Sequence, residues 1–267
     1  MKQAIFFDID GTIYDNQFHQ IDPELFEEFD YLRQQGMDIL LLSSRSPFEI
    51  VHLPQQLIDY PFAGLILEGG AALYDQNQFM VDALLIPLDD VKKIHDYCET
   101  HNLLWRYSGP DGNFFNQPED EATRLHWRKL YLTVPQTKKW KGDDVCNILI
   151  WTEDKQMQQE IAALIPDSIL VRYPECVEIR AKRASKDNMV RILKNRRGYS
   201  KIICVGDGLN DIEMIRQADY GVAVENACQP VKDAADLVIG PVGDHGVTQW
   251  LKERRKKGSY HELKNRK

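Results

Sequence analysis

The chain has 267 residues, 43% of them hydrophobic and 28% charged, enough for one large domain or two modest ones. No run of about 18 apolar residues occurs, which excludes a membrane-spanning helix of ordinary length. The formal charge of −8 is uneven: residues 252–267 hold eight Lys or Arg against two Glu, a local +6, so the other 25 basic and 39 acidic residues carry −14. An acidic body argues against nucleic acid as the main ligand, because phosphate backbones need a basic footprint. The basic tail reads as a solvated C-terminal helix with a fraying end. The five cysteines (Cys98, Cys146, Cys176, Cys204, Cys228) are odd in number and widely spaced, with no zinc-type cluster, so buried thiols are expected. Residues 1–12 put an acidic strand end where a signal peptide would need a basic start, and a cytoplasmic protein is expected.

The first element is an apolar run from Ala4 to Phe7, read as a strand buried on both faces, which leads into Asp8-Ile9-Asp10-Gly11-Thr12. Residues two apart on a strand share a face, about 6.6 Å apart along it, so Asp8 and Asp10 point into one space at the strand's C-terminal end. That end is where open α/β sheets keep their ligands. Two like charges facing each other there are expensive unless a cation or a shared proton relieves them, which makes a metal the first thing to look for. The simpler reading is a strand closing in an Asp-Gly turn.

Asp22-Pro23 then opens a helix as N-cap and first helical residue, with Leu25, Phe26, Phe29 and Leu32 as its buried stripe and Gly36 past its end. Residues 38–42 form a second strand, stopping at Ser43-Ser44-Arg45, and residues 47–58 a helix interrupted near Pro54. Gly64–Leu67 is the third strand, followed by Glu68-Gly69-Gly70-Ala71 and a hairpin across residues 75–78. This alternation implies a parallel sheet with right-handed crossovers.

From Leu84 the character changes to mixed helices (89–101, 119–129, 154–165) and strands (103–107, 145–151, 169–173, 176–180). The segment has the size of a small domain and holds four of the five tryptophans, Trp105, Trp127, Trp140 and Trp151. The parallel pattern resumes at Ser185-Lys186-Asp187 with a helix to Gly198, a strand at 201–205 and the loop Gly206-Asp207-Gly208-Leu209-Asn210-Asp211. The strands 221–224 and 237–239 and a last helix from Val247 follow, with His245 in a loop capping that helix. The fold class is therefore α/β: a Rossmann-like doubly wound core over residues 1–83 and 184–267, with an inserted α+β domain over 84–183.

Four strand-end loops carry polar residues, Asp8/Asp10, Ser43/Arg45, Lys186 and Asp207/Asn210/Asp211, and a parallel sheet brings such ends to one edge. Singly, Ser43 reads as a helix N-cap, Lys186 as a solvated first-turn lysine, and the last loop as a cap for its helix. Jointly these readings need four coincidences in chain order.

In that order the four motifs resemble those of the haloacid dehalogenase-like (HAD) phosphohydrolases. The insert after the third core strand and Val224-Glu225-Asn226-Ala227 resemble the Cof-type subgroup. The resemblance covers nearly the whole chain. It implies a phosphatase of small phosphate esters, sugar phosphates or phosphorylated cofactors, with Asp8 as nucleophile forming an aspartyl-phosphate and Asp10 as acid and base. It also implies Mg²⁺ held by Asp8, the Asp10 carbonyl and Asp207, with Asp211 in support, which suits a cation of hard oxygen ligands. Ser43 with neighbouring Ser44 and Arg45 would hold phosphate, Lys186 would neutralise the intermediate, and Asn210 would orient phosphate or Lys186.

Two positions depart from the subgroup: Ser44 stands where glycine is usual, and Gly69 where asparagine is usual, with Glu68 beside it either compensating or disfavouring highly anionic ligands. The insert would cap the site and exclude water, with Arg106, Trp127, Arg128 and Arg180 as candidate substrate contacts. Surface arginines and core tryptophans are the simpler reading of each. A monomer or homodimer is expected, with no nucleic acid or membrane partner. A phosphomutase shares the aspartyl-phosphate and would yield a rearranged phosphosugar without free phosphate. A phospho-accepting module without turnover would show a long-lived aspartyl-phosphate, although it has no need of Asp10 or a cap.

Overall fold

The computed structural model describes residues 2–258 apart from 78, 130, 131, 133 and 174. The end of the basic tail, residues 259–267, and Gln78 of the expected hairpin lie outside the described residues. The chain forms two compact units, one of Met1–Ser44, Leu53–Phe79 and Ser185–Lys267, the other of Arg45–His52 and Met80–Ala184. The expected boundaries at 84 and 183 did not separate out the segment Arg45–His52.

In the first unit Gln3–Asp8 lies between Met37–Leu42 and Lys201–Gly206, parallel to both. Gly64–Leu67 extends the sheet in parallel on one side, with Ala72–Tyr74 antiparallel beyond it. Tyr220–Val224 and Leu237–Ile239 extend it in parallel on the other. Chain order runs outward in both directions from the first strand, so the boundary between Gln3–Asp8 and Lys201–Gly206 is the topological switch point of a doubly wound, Rossmann-like α/β sheet. The first strand reads as a continuous apolar run because both its faces are covered: Ala4, Ile5, Phe6 and Phe7 are fully buried. Phe7 stacks on Phe29, which with Phe26, Tyr60 and Phe62 makes an aromatic cluster.

The first helix is shorter than expected, Leu25–Gln34. Asp22 is not its N-cap, a position that falls to Glu24 without a side-chain capping bond; the Asp22 carboxylate accepts the Glu24 N–H at 3.0 Å and its carbonyl the Leu25 N–H at 3.1 Å, closing a turn ahead of the helix. The expected helix over 47–58 is two short pieces, Ile50–His52 and Gln55–Asp59, separated where Pro54 has no N–H to give. His245 occupies the N-cap position of the last helix, Gly246–Lys257, in a left-handed conformation (φ 56°), and its side chain makes no capping bond. The basic residues of that helix are engaged more than a solvated end would be: Lys252 pairs with Glu24, and Arg255 pairs with Glu28 at 3.2 Å and lies over the Tyr31 ring. Among the described residues no helix is long and apolar enough to cross a membrane.

The second unit is a sheet of Gln136–Thr137, Gly112–Phe115, Trp105–Gly109, Asn147–Trp151, Cys176–Ala181 and Ser168–Arg172, in that order. It is antiparallel except for its first pair. The period of two along these strands divides the sheet. Trp105, Tyr107, Ile148, Ile150, Val177 and Ile179 face a core shared with Val91, Ile94 and Cys98 of helix Leu88–His101 and Ile161 of Lys155–Leu164. Arg106, Ser108, Asn147, Glu178 and Arg180 face the other way and are still buried.

There Arg106 donates to Ser108 Oγ and Asn147 Oδ1, both at 2.9 Å, and to Glu49 Oε1 at 2.8 Å. Asn147 donates to Glu178 at 2.6 Å. The Glu49 link explains why Arg45–His52 groups with this unit. Burial pushes the Glu49 carboxyl up, but the Arg106 guanidinium and the Ser46 N–H outweigh it and hold Glu49 below the usual carboxylate range. Glu49→Ala is therefore expected to cost about 3–5 kcal/mol, by stranding a buried guanidinium. Glu49→Met with Arg106→Met should restore most of that loss in urea denaturation; a Glu49→Ala cost under about 1 kcal/mol would mean the pair is solvated.

Candidate active site

The register of the central strands sets the site. Asp8 is paired with Leu42, so Ser43 lies one residue beyond it on one neighbour; Phe7 is paired with Val205, so Gly206 and Asp207 follow on the other. The helix that supplies Lys186 begins there as well, because Ser185 caps Lys186–Arg197 by accepting the Asn188 N–H at 3.4 Å. Gly70, at φ 103°, lets its turn approach that helix start so closely that a Cβ would overlap the Ser185 carbonyl.

Lys186 is 2% exposed and donates to Asp8 Oδ1 and, at 2.7 Å, to Asp211 Oδ1. The other Asp211 oxygen accepts the N–H groups of Asp207 and Gly208 at 3.2 and 3.0 Å, which shapes the loop that presents Asp207. Asp8, Asp207 and Asp211 each offer a carboxylate oxygen within 4.8 Å of the others. One ammonium thus faces three carboxylates. Burial raises the Asp8 carboxyl well above the usual range, Lys186 opposes it, and repulsion from Asp211 and Asp207 adds to it. Asp207 is raised by burial and by Asp211. Lys186 is held protonated: burial disfavours its charge, but Asp211 and Asp8 outweigh that. A set of hard oxygen donors with excess negative charge is what a small divalent cation such as Mg²⁺ takes, so these residues fit one.

Asp10 accepts a hydrogen bond from Ser43 Oγ at 3.4 Å; the next helical turn begins only at Ile50, so Ser43 is no helix cap. Asn210 is exposed and donates to Ser44 Oγ at 3.1 Å, while Lys186 donates to Asp8 and Asp211. Arg45 belongs to the second unit, where it donates to the Glu49 carbonyl at 3.3 Å. In that unit Arg106 is tied into the buried network and Trp127 packs edge-on against Phe115; Arg180 is buried beside Glu178, and Arg128 is exposed. Thr12 has a role that reading the sequence missed: its buried hydroxyl lies 3.2 Å from Asp8 Oδ2 and 3.1 Å from Asp207 Oδ1, bridging two strands. A hydroxyl four residues after a carboxylate, beyond a glycine turn, was its only signal. Gly11, at φ 82°, makes this possible, since a Cβ there would collide with the Asp207 carboxylate.

The model of the haloacid dehalogenase-like hydrolase family matches residues 5–251. The chain belongs to that family. It is 26% identical to the Bacillus subtilis (strain 168) protein YkrA, over 94% of this chain and 97% of the other. It is 24% identical to 5-amino-6-(5-phospho-D-ribitylamino)uracil phosphatase YcsE of the same strain, over 94% of each. Among solved structures it is similar to the HAD subclass IIB sugar phosphatase BT4131, at TM-score 0.80 and 25% identity, covering 94% of this chain and 98% of that one.

Proposed function

We propose that this hydrolase is a Mg²⁺-dependent phosphatase of small phosphorylated metabolites, working through an aspartyl-phosphate on Asp8. The observation that carries the reading is the cluster of Asp8, Asp207 and Asp211 around Lys186 at the switch point of the sheet. Asp8, Asp207 and Asp211 would hold Mg²⁺, with the Asp10 carbonyl completing the set. The chemistry supplied when Mg²⁺ is bound is charge neutralisation, both among the carboxylates and on the phosphoryl oxygens.

The Asp8 carboxylate attacks phosphorus, and the ester oxygen leaves with its electron pair, protonated by Asp10. Asp10 then takes a proton from the water that attacks the aspartyl-phosphate, releasing inorganic phosphate and restoring Asp8. Lys186 keeps its charge throughout and offsets that of the transferred group. Ser43, with Ser44 braced by Asn210, holds phosphate oxygens. The relatives' names, a sugar phosphatase and a phosphatase of a phosphoribitylamino compound, support polyhydroxy phosphomonoesters as the substrate class, with phosphorylated cofactors next.

The test is phosphate release from sugar phosphates, nucleotides, flavin mononucleotide and pyridoxal phosphate, with Mg²⁺ and with chelator. Turnover of some members that chelator stops is expected. No release from any of them, with Mg²⁺ still bound, would overturn the reading.

A further inference from the structure

Asn226 lies just past the strand Tyr220–Val224, at the edge of the sheet that holds the site. It is exposed, yet both ends of its amide are bonded to backbone. Its Nδ2 donates to the Gly11 carbonyl at 2.8 Å, and its Oδ1 accepts the Val242 N–H at 2.9 Å. The partners fix the orientation of the amide, because a carbonyl only accepts and an N–H only donates.

The turn it meets is otherwise closed upon itself. Ile9 O accepts the N–H groups of Thr12, Ile13 and Tyr14 at 3.2, 3.0 and 2.9 Å, and Gly11 N–H donates to Tyr14 O at 2.9 Å. These bonds tie both sides of the Gly11–Thr12 peptide but leave the Gly11 carbonyl to a partner outside the turn. The tilt of that peptide sets where Thr12 Oγ1 falls between Asp8 and Asp207, and it adjoins the acid–base residue Asp10.

We propose that Asn226 is a positioning residue, which braces the Gly11 peptide against the loop at Val242 and so aims Thr12 and Asp10. Only a side chain with a donor and an acceptor at this spacing can serve both contacts. Its exposure means that little packing is lost when it is replaced. The kinetic part of the inference rests on the proposed phosphatase activity; the brace itself does not.

The experiment compares wild type, Asn226→Asp and Asn226→Ala. Asn226→Asp keeps the acceptor for Val242 but sets an oxygen against the Gly11 carbonyl. Both variants are expected to lower kcat by about 10-fold with KM within about twofold, the signature of an interaction felt in the transition state. Melting temperatures should stay close to wild type. In metal-free protein, amide hydrogen exchange over residues 9–14 should quicken in both variants, with the rest of the chain unchanged.

An Asn226→Asp protein matching wild type in kcat and exchange would overturn the proposal, because the Val242 contact would then be the only one that matters. A fall in kcat that merely follows a fall in melting temperature would overturn it too. If wild type releases no phosphate from any ester while the exchange difference is present, the phosphatase reading fails and the brace stands.

Discussion

Asp8→Asn is expected to reduce phosphate release on the order of 10³-fold or more while the protein stays folded, because an amide cannot form the acyl-phosphate. The site also predicts the direction of the stability change. Without metal, Asp8 is one of three carboxylates facing a single buried ammonium, and burial together with its neighbours raises its carboxyl. A neutral amide relieves part of that repulsion while Lys186 keeps its ion pair with Asp211. In chelator the variant should therefore melt at or above the wild-type temperature. The preference should reverse in Mg²⁺, which on the proposed function would stabilise the wild type by binding its folded form. Turnover above about 1% of wild type would remove Asp8 from the role of nucleophile. A marked fall in melting temperature would show that the lysine depends on both partners.

Lys186→Met should strongly destabilise the fold. Lys186, Asp8 and Asp211 are 2%, 5% and 0% exposed, and deleting the ammonium leaves their buried negative charge uncompensated. Breaking such a pair costs about 3–5 kcal/mol. The pH dependence follows from the raised carboxyls. A carboxyl whose folded pKa lies above its unfolded value, as for Asp8 and Asp207, binds its proton more tightly in the folded state. Its contribution is fully present below the ordinary value of 3.8 and is lost as pH rises through the folded value. Losing Lys186 raises both carboxyls further, so the deficit of the variant should be full at high pH and shrink as pH falls. Mg²⁺ at about 100 times its Kd should return about 2.7 kcal/mol at neutral pH. Equal stability of variant and wild type at pH 8 in chelator would refute the charge argument. Phosphate release should be lost in the variant even where Mg²⁺ restores the fold.

The site was legible in the sequence to the extent that strand ends carry local signals. Asp8 and Asp10 were identified by the period of a strand, and Asp207 and Asp211 by two glycines and three polar groups in six residues. The roles of Ser43 and Lys186 could not be read locally, since a serine before a helix and a lysine in its first turn have ordinary uses. Asn210 had a related difficulty: its place in the loop was clear, but that its amide would meet the Ser44 hydroxyl depends on a loop from another strand. Arg106 had the same difficulty in the second unit, where its position on a strand was evident and its burial by Glu49, 57 residues away, was not.

From the sequence alone came the alternation of strands and helices, the insert and the Gly198 stop, and with them the α/β class and the facing carboxylates. Those features depend on periodicity and on backbone groups within a few residues, whose energetics are local. The tertiary structure alone decided which charges share a site: Lys186 reaches Asp8 across 178 residues, and Thr12 reaches Asp207 across 195. Such pairings follow from sheet order and register, which bring distant strand ends together. They also need burial, because only in a site shielded from water does one ammonium among three carboxylates shift their proton affinities.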